Sequence, residues 1–193
     1  MNARVRSIID VIDAERDRFA RFCRSLSEEE LARPVPDSTW RVKDFISHLA
    51  TIDGPVARWF AAIQAGDGGG HGASGAASNI DRFNDAAVAA RRDRSVEEIL
   101  VEAATERAKL VAVLGRFTDE QLDGTVHFGG DSKRPPSDLQ VGRYLQGWAR
   151  HDAIHVADML KALPERRADP LVAEWLGEPD IQTLVGTYQR AMA

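Results

Sequence analysis

Long segments with helical spacing of apolar residues constrain this sequence more than any other feature. No proline or glycine occurs in residues 4–26, and apolar side chains recur there at spacings of three, four and seven positions. This pattern is typical of an amphipathic helix, in which one stripe of side chains faces a core. The stripe consists of Ile8, Ile12, Phe19, Phe22 and Leu26.

Three further segments are predicted to form long helices. The four long helices would cover residues 4–26, 39–63, 96–117 and 138–163. The second, third and fourth would begin after the capping residues Ser38 or Thr39, Ser95 and Ser137. A kink is expected at Gly54-Pro55, because a proline ring clashes with the carbonyl one turn earlier.

Shorter elements would connect these helices. Capped turns are predicted at 27–31 and 118–122, a short helix at 80–90, an extended segment at 125–128 and one or two short helices within 170–192. Six glycines lie between residues 66 and 78, so a mobile loop is expected there. We therefore predict an all-α fold, a four-helix bundle with short accessory helices, in one domain with its core at about 5–163 and a C-terminal extension at 164–193.

Composition excludes several function classes. A net charge of −5 disfavours nucleic acid as the main partner, and no apolar run approaches the roughly 20 residues that a membrane-spanning helix needs. Aspartates interrupt the apolar residues near the N-terminus, which disfavours a secretory signal, and the single cysteine, Cys23, cannot form an internal disulfide. We expect a soluble, cytoplasmic protein without membrane attachment.

Two histidines four residues apart, His151 and His155, lie in the fourth predicted helix. Side chains at this spacing share one face, with about 5–6 Å between Cβ atoms, so the two imidazoles can chelate one metal ion. They share their stripe with Tyr144 and Trp148, whereas a third histidine, His48, lies in the second helix. Metal sites of helix bundles are built from interior side chains, and three protein ligands leave one position open on the ion.

The histidines also have simpler interpretations. A histidine on a helix more often hydrogen bonds within the core or lies at the surface than binds a metal. The spacing of His151 and His155 does not establish that the second and fourth helices bring them to His48. A core without a metal therefore remains an alternative.

Three aspartates near the histidines are candidates for orienting them. Asp44 and Asp158 lie about one turn from His48 and His155, and each could accept a hydrogen bond from the second N–H of an imidazole. Asp152 points roughly 100° away from the histidine stripe, so it is a weaker candidate.

Glu15 is the remaining candidate from the residues alone. It falls on the apolar stripe of the first helix, where an unpaired carboxylate is costly to bury. Glu15 could face the metal as a base or orient a ligand. Alternatively, it lies at the edge of the stripe and reaches solvent.

Several motifs together resemble one family. Trp40-Arg-Val-Lys-Asp-Phe-Ile-Ser-His48-Leu-Ala is similar to the tryptophan-to-histidine segment of the DinB/YfiT-like superfamily, and His151-Asp-Ala-Ile-His155 is similar to its HxxxH element. The resemblance extends through Ile80-Asp-Arg-Phe-Asn84 and covers about residues 5–163.

The resemblance implies a down-up-up-down bundle with a divalent metal, zinc or nickel, held by His48, His151 and His155. Related branches include mycothiol-dependent maleylpyruvate isomerases and low-molecular-weight-thiol transferases, in which the metal activates the thiol. Some mycothiol enzymes use a glutamate as one ligand, whereas this chain has three histidines. By resemblance, Asn84 would contact a cofactor or substrate, and a homodimer is expected.

The leading hypothesis is a metal-dependent enzyme that activates water or a low-molecular-weight thiol for transfer or hydrolysis on a small molecule. The thiol, where one is used, would be a second cofactor beside the metal. The alternative is a non-enzymatic helical module that binds a small molecule or responds to stress, with a structural metal or none.

Overall fold

The computed structural model describes residues 1–66, 79–128 and 135–192, and four long helical stretches pack together within them. These stretches are α1 (Ala3–Arg24), α3 with α4 (Val42–Thr51 and Asp53–Gln64), α6 (Val96–Leu114), and α8 with α9 (Val141–Trp148 and His151–Met159). Shorter helices are α2 (Glu28–Leu31), α5 (Asn79–Ala89), α7 (Asp119–Asp123), α10 (Pro170–Leu176) and α11 (Pro179–Met192). The predicted all-α bundle is confirmed.

The predicted capping boxes form at α2, α6 and α7. Ser27, Ser95 and Thr118 each accept a hydrogen bond from the backbone three residues later, and the Glu or Gln at that position accepts one in return. These reciprocal bonds satisfy backbone N–H groups that have no partner within the helix. The sequence pattern therefore locates these three helix starts correctly.

The second long helix differs from the prediction at its start and is interrupted where a kink was expected. It begins at Val42, and Asp44 accepts from the backbone N–H of Arg41, so neither Ser38 nor Thr39 is its cap. The interruption at Ile52 divides it into α3 and α4, just before Gly54-Pro55. The missing N–H of Pro55 accounts for the break.

The fourth long helix is shorter than predicted at its start. Residues 137–140 form a strand, β2 (Ser137–Gln140), that pairs antiparallel with β1 (Thr125–Phe128). Ser137 is therefore a strand residue, and Gln140 caps α8 by accepting from the backbone N–H of Arg143. A cap identified from local sequence cannot compete with strand pairing to a segment nine to fifteen residues away.

The described C-terminal residues pack onto the bundle. A 3₁₀ turn (Pro164–Ala168) leads into α10 and α11, which bury Trp175 and Ile181 in the same apolar cluster as Phe19 of α1. Glu15 accepts a hydrogen bond of 2.7 Å from Trp175 Nε1. The domain boundary at residue 163 stays a prediction.

The predicted mobile loop falls at 66–78, of which 67–78 lie outside the described residues. Within the described part of the chain, every helix is too short or too polar to cross a bilayer. Cys23 is buried in the core, as a free cysteine usually is.

Candidate metal centre

Three histidines from two helical stretches meet inside the bundle. One ring nitrogen from each of His48 on α3 and His151 and His155 on α9 lies within 4.8 Å of the other two. Ring centroids are 5.0 Å apart for His48 and His155, 4.6 Å for His151 and His155, and 6.0 Å for His48 and His151. The structure therefore brings together the residues that the sequence proposed as ligands.

Tryptophan side chains hold two of the rings. Trp148 stacks on His151 with 4.4 Å between ring centroids and 12° between ring planes. Trp40 lies 5.2 Å from His48, and its indole N–H donates a 3.0 Å hydrogen bond to Asp85 of α5. Stacking restricts rotation of the His151 ring, and the Trp40 ring, tilted by 44°, packs against His48, so both imidazoles are restrained before any ligand arrives.

His155 is oriented by a carboxylate and enclosed by aromatic rings. Its Nδ1 lies 3.2 Å from Oδ2 of Asp158, whose Oδ1 accepts a 2.9 Å hydrogen bond from Lys161. Phe45 and Tyr188 contact the ring at centroid distances of 5.6 and 6.1 Å. With the Nδ1 proton donated to Asp158, the Nε2 lone pair is available to a metal.

Burial favours a neutral His151 ring, and hydrogen bonds favour a charged Asp158 carboxylate. Burial, followed by repulsion from His155 and His48, holds the pKa of His151 well below its ordinary value, so the ring keeps a lone pair at neutral pH. Burial alone would raise the pKa of Asp158, but hydrogen bonds from His155 and Lys161 outweigh it and lower that pKa. Histidine binds metals through a neutral imidazole, so the lowered pKa of His151 suits this residue to the role of a ligand.

The donor set fits a divalent transition metal. With Zn–N distances of about 2.0–2.1 Å, two imidazole nitrogens on a tetrahedral zinc ion lie about 3.4 Å apart. The three histidine nitrogens lie within 4.8 Å of one another, so small side-chain rotations would bring them to that separation. Imidazole ligands suit zinc, nickel, copper and iron, whereas calcium and magnesium prefer oxygen. His48 and His155 are buried, whereas His151 is only half-buried and is the most exposed residue of the three.

Four buried charged residues lie directly beside the histidines. Arg16, Asp53, Arg107 and Asp152, here called the Arg–Asp quartet, are each at most 8% exposed. Arg16 lies 3.2 Å from Asp53 and 3.1 Å from Asp152, and Arg107 lies 2.8 and 3.6 Å from the same two carboxylates. Two positive and two negative charges therefore compensate one another across α1, α4, α6 and α9.

The quartet separates two apolar clusters of the core. On α1, Arg16 lies between Ile12 of one cluster and Phe19 of the other. Burial raises the pKa of Asp53, and Arg107 and Arg16 oppose that rise. The indole N–H of Trp148 also opposes the rise in the pKa of Asp53, although its geometry falls outside that of a hydrogen bond. The quartet is thus connected to the tryptophan that stacks on His151.

The other predicted site residues occupy different surroundings. Glu15 is buried, but its carboxylate accepts from Trp175 and, at 3.1 Å, from Arg18, which favours an anchoring role for α10 over a base at the metal. Asp44 is a helix cap, so its predicted role toward His48 gains no support from its hydrogen bond. Asn84 is half-buried on α5, which packs against the helix that carries His48. Its role as a cofactor contact stays a prediction.

Sequence reasoning missed most of the quartet and Tyr188. Arg107 lies on the apolar face of α6 at helical spacing from Ala103 and Leu110, which is the signal that could have identified it as a buried charge. Asp152 is a weak candidate by sequence because it points away from the histidine stripe. That direction is the reason that it reaches the two arginines.

Residues 12–146 match the family model described as the mycothiol maleylpyruvate isomerase N-terminal domain. The match covers more than half of the chain and includes His48, but it ends before His151 and His155, so geometry alone joins these two to the centre. No curated protein and no solved structure matches the chain. The resemblance to the DinB/YfiT-like superfamily is confirmed, because the matched family is a DinB-like helical one. The chain belongs to the family of mycothiol maleylpyruvate isomerase N-terminal domains.

Proposed function

We propose that this protein is a divalent-metal-dependent enzyme in which His48, His151 and His155 hold zinc or nickel. Its reaction would be the transfer of a low-molecular-weight thiol, such as mycothiol, to a small electrophile, or an isomerisation through such an adduct. Hydrolysis by activated water is the variant that needs no thiol. The name of the matched family supports the thiol, since it refers to mycothiol.

The convergence of the three histidines carries this proposal. Their nitrogens lie within 4.8 Å of one another although His48 and His151 are 103 positions apart in the chain. A divalent ion held there would lower the pKa of a bound thiol or water and so supply a nucleophile at neutral pH.

The chain's own residues would orient and shield the reacting groups. Asp158 fixes the ring of His155 through Nδ1, and Trp148 fixes the ring of His151 by stacking. Aromatic side chains around the cluster exclude water from its buried side. The half-buried edge of His151 leaves an approach for a thiol or an electrophile.

The first test is metal quantification on protein purified without chelator, followed by turnover assays with mycothiol, bacillithiol and glutathione against electrophiles. We expect about one divalent ion per chain and thiol-dependent turnover that disappears when the metal is removed. His151→Ala should lose both metal and turnover, whereas His127→Ala, on the exposed face of β1, should keep both.

Two outcomes would contradict the proposal. Absence of a stoichiometric ion, or unchanged metal content in His151→Ala, would eliminate the metal centre. A bound ion without thiol-dependent or hydrolytic turnover would instead favour a non-enzymatic module with a structural metal.

A further inference from the structure

Arg16 contacts the residues that directly follow two of the three histidines. Its guanidinium donates to the backbone carbonyl of Leu49, at 3.4 Å from Nη1 and 3.3 Å from Nη2. It also donates from Nη2 to Oδ1 of Asp152 at 3.2 Å. Leu49 follows His48, and Asp152 follows His151. One side chain on α1 therefore bridges the two helices that carry the proposed ligands.

The surroundings of Arg16 make this bridge rigid. The carbonyl of Leu49 lies in the last turn of α3, where the helix is interrupted and carbonyls lose their helical partners. The planar guanidinium binds a carboxylate and a carbonyl at fixed angles, and Arg16 is only 8% exposed. A third contact, to Asp53 at 3.2 Å, restrains it further.

Arg107 provides an internal comparison. It is equally buried and forms ion pairs with the same two carboxylates, Asp53 and Asp152. Its described ion pairs do not include α3, the helix of His48. Replacement of either arginine removes one positive charge from the quartet, but only replacement of Arg16 removes a link between the two ligand-bearing helices.

We propose that Arg16 is a positioning residue for the metal centre, one that sets the separation between His48 on α3 and His151 with His155 on α9. The inference rests on the proposed function only in requiring that the three histidines bind a metal. Metal affinity depends strongly on ligand placement, and loss of a residue that orients ligands typically lowers it by 10- to 100-fold. Because Arg16 also links α3 to α9, we expect its replacement to weaken metal binding more than the loss of one positive charge from the quartet would.

The test compares Arg16→Met with Arg107→Met, using Co²⁺ as the probe. Affinity is measured by titration, ligand geometry by the d–d absorption of the bound Co²⁺, and metal-free stability by urea denaturation. We expect both variants to lose similar stability, because each leaves one buried aspartate uncompensated. Arg16→Met should bind Co²⁺ at least about tenfold more weakly than Arg107→Met and should show a shifted d–d spectrum.

Equal Co²⁺ affinity and equal spectra in the two variants would overturn the positioning role. If the methionine variants do not fold, Arg16→Lys and Arg107→Lys replace them. A lysine keeps the buried charge, but its single nitrogen cannot reproduce the planar fork to Leu49 and Asp152. Weaker Co²⁺ binding in Arg16→Lys than in Arg107→Lys supports the inference, and equal binding overturns it.

The failure of the proposed function gives a different result. In that case the wild-type protein itself would bind no Co²⁺, whereas failure of the positioning role alone leaves two variants that bind Co²⁺ equally well.

Discussion

Two polar clusters lie side by side in the interior of this bundle, and they differ in whether their members can form ion pairs or hydrogen bonds with one another. The Arg–Asp quartet pairs two cations with two anions at distances of 2.8 to 3.6 Å, so its charges are balanced within the protein. The histidine cluster consists of three like groups, whose nitrogens lie within 4.8 Å of one another. As ligands these nitrogens present lone pairs, which cannot hydrogen bond to each other.

The comparison separates a structural cluster from a candidate site. Burial of polar groups is costly unless partners are present, and the quartet supplies its own partners. In the proposed function, a divalent ion would accept a lone pair from each of the three histidines. The type of donor, rather than burial alone, therefore distinguishes the candidate site from the structural cluster.

The largest expected effect comes from breaking the quartet. Asp53→Ala leaves Arg16 and Arg107 buried with a single carboxylate, and we expect a loss of about 3–5 kcal/mol in the free energy of unfolding. Urea denaturation of the metal-free protein measures it, and Asp123→Ala, which removes an exposed pair with Arg4, should leave the midpoint unchanged. A loss below about 1 kcal/mol would mean that the quartet behaves like a surface ion pair.

Metal should stabilise the folded protein through the histidine cluster. At a free-metal concentration one hundred times Kd, we expect the free energy of unfolding to rise by about 2.7 kcal/mol. Thermal melts with and without zinc measure this gain, which His155→Ala should abolish and His127→Ala should retain. Equal stabilisation of His155→Ala would place the bound ion elsewhere in the protein.

The ion pair between Arg166 and Glu30, outside the quartet, tests whether charge pairing in general affects metal binding. Arg166 lowers the pKa of Glu30 to about 2, so this pair contributes stability above the ordinary pKa of glutamate and loses it as the pH falls toward 2. Glu30→Gln keeps the capping box and should cost about 1–2 kcal/mol at pH 7, less than the full pKa shift because water screens the pair.

Urea denaturation between pH 2 and 7 checks this effect, which should vanish at the acid end. Metal affinity of Glu30→Gln should equal that of the wild type. A weaker affinity would mean that general destabilisation, rather than ligand placement, controls metal binding.

The smallest expected effect concerns Glu15, whose pKa is raised, whereas that of Glu30 is lowered. Burial raises this pKa, and the hydrogen bond from Trp175 opposes the rise. The wild type should therefore lose stability as the pH rises from the ordinary pKa through the raised folded value. Glu15→Gln retains an acceptor for Trp175 and should remove that loss, a gain of about 0.5–1 kcal/mol at pH 7.

The same pH series measures the gain for Glu15→Gln, and a zinc titration should return the wild-type affinity within about twofold. Weaker metal binding would contradict the anchoring role and restore Glu15 as a candidate base at the metal.

Local patterns predicted most helices and failed where a distant segment intervened. The capping boxes at Ser27, Ser95 and Thr118 were located correctly, because their hydrogen bonds join residues three positions apart. Ser137 has the same local character but pairs in a strand with Phe128. The residues around Ser137 contain no pattern that indicates this strand pairing.

In the candidate site, too, contacts between residues close in sequence were predictable and contacts between distant residues were not. The spacing of His151 and His155 places both on one helical face, and Asp158, one turn from His155 in the sequence, contacts Nδ1 of that ring. The buried partners of Arg16 escaped prediction, since a charged residue on a helix is usually solvated.

The sequence by itself determined the helices, their apolar stripes and the histidine pair on α9, because helical hydrogen bonds and periodicity act over a few residues. Only the tertiary structure decided that His48 meets this pair, and that Asp152 meets Arg16 from 136 positions away. Such contacts depend on how whole helices pack, and the cost of burying unpaired charges favours the arrangement in which the four residues of the quartet pair with one another.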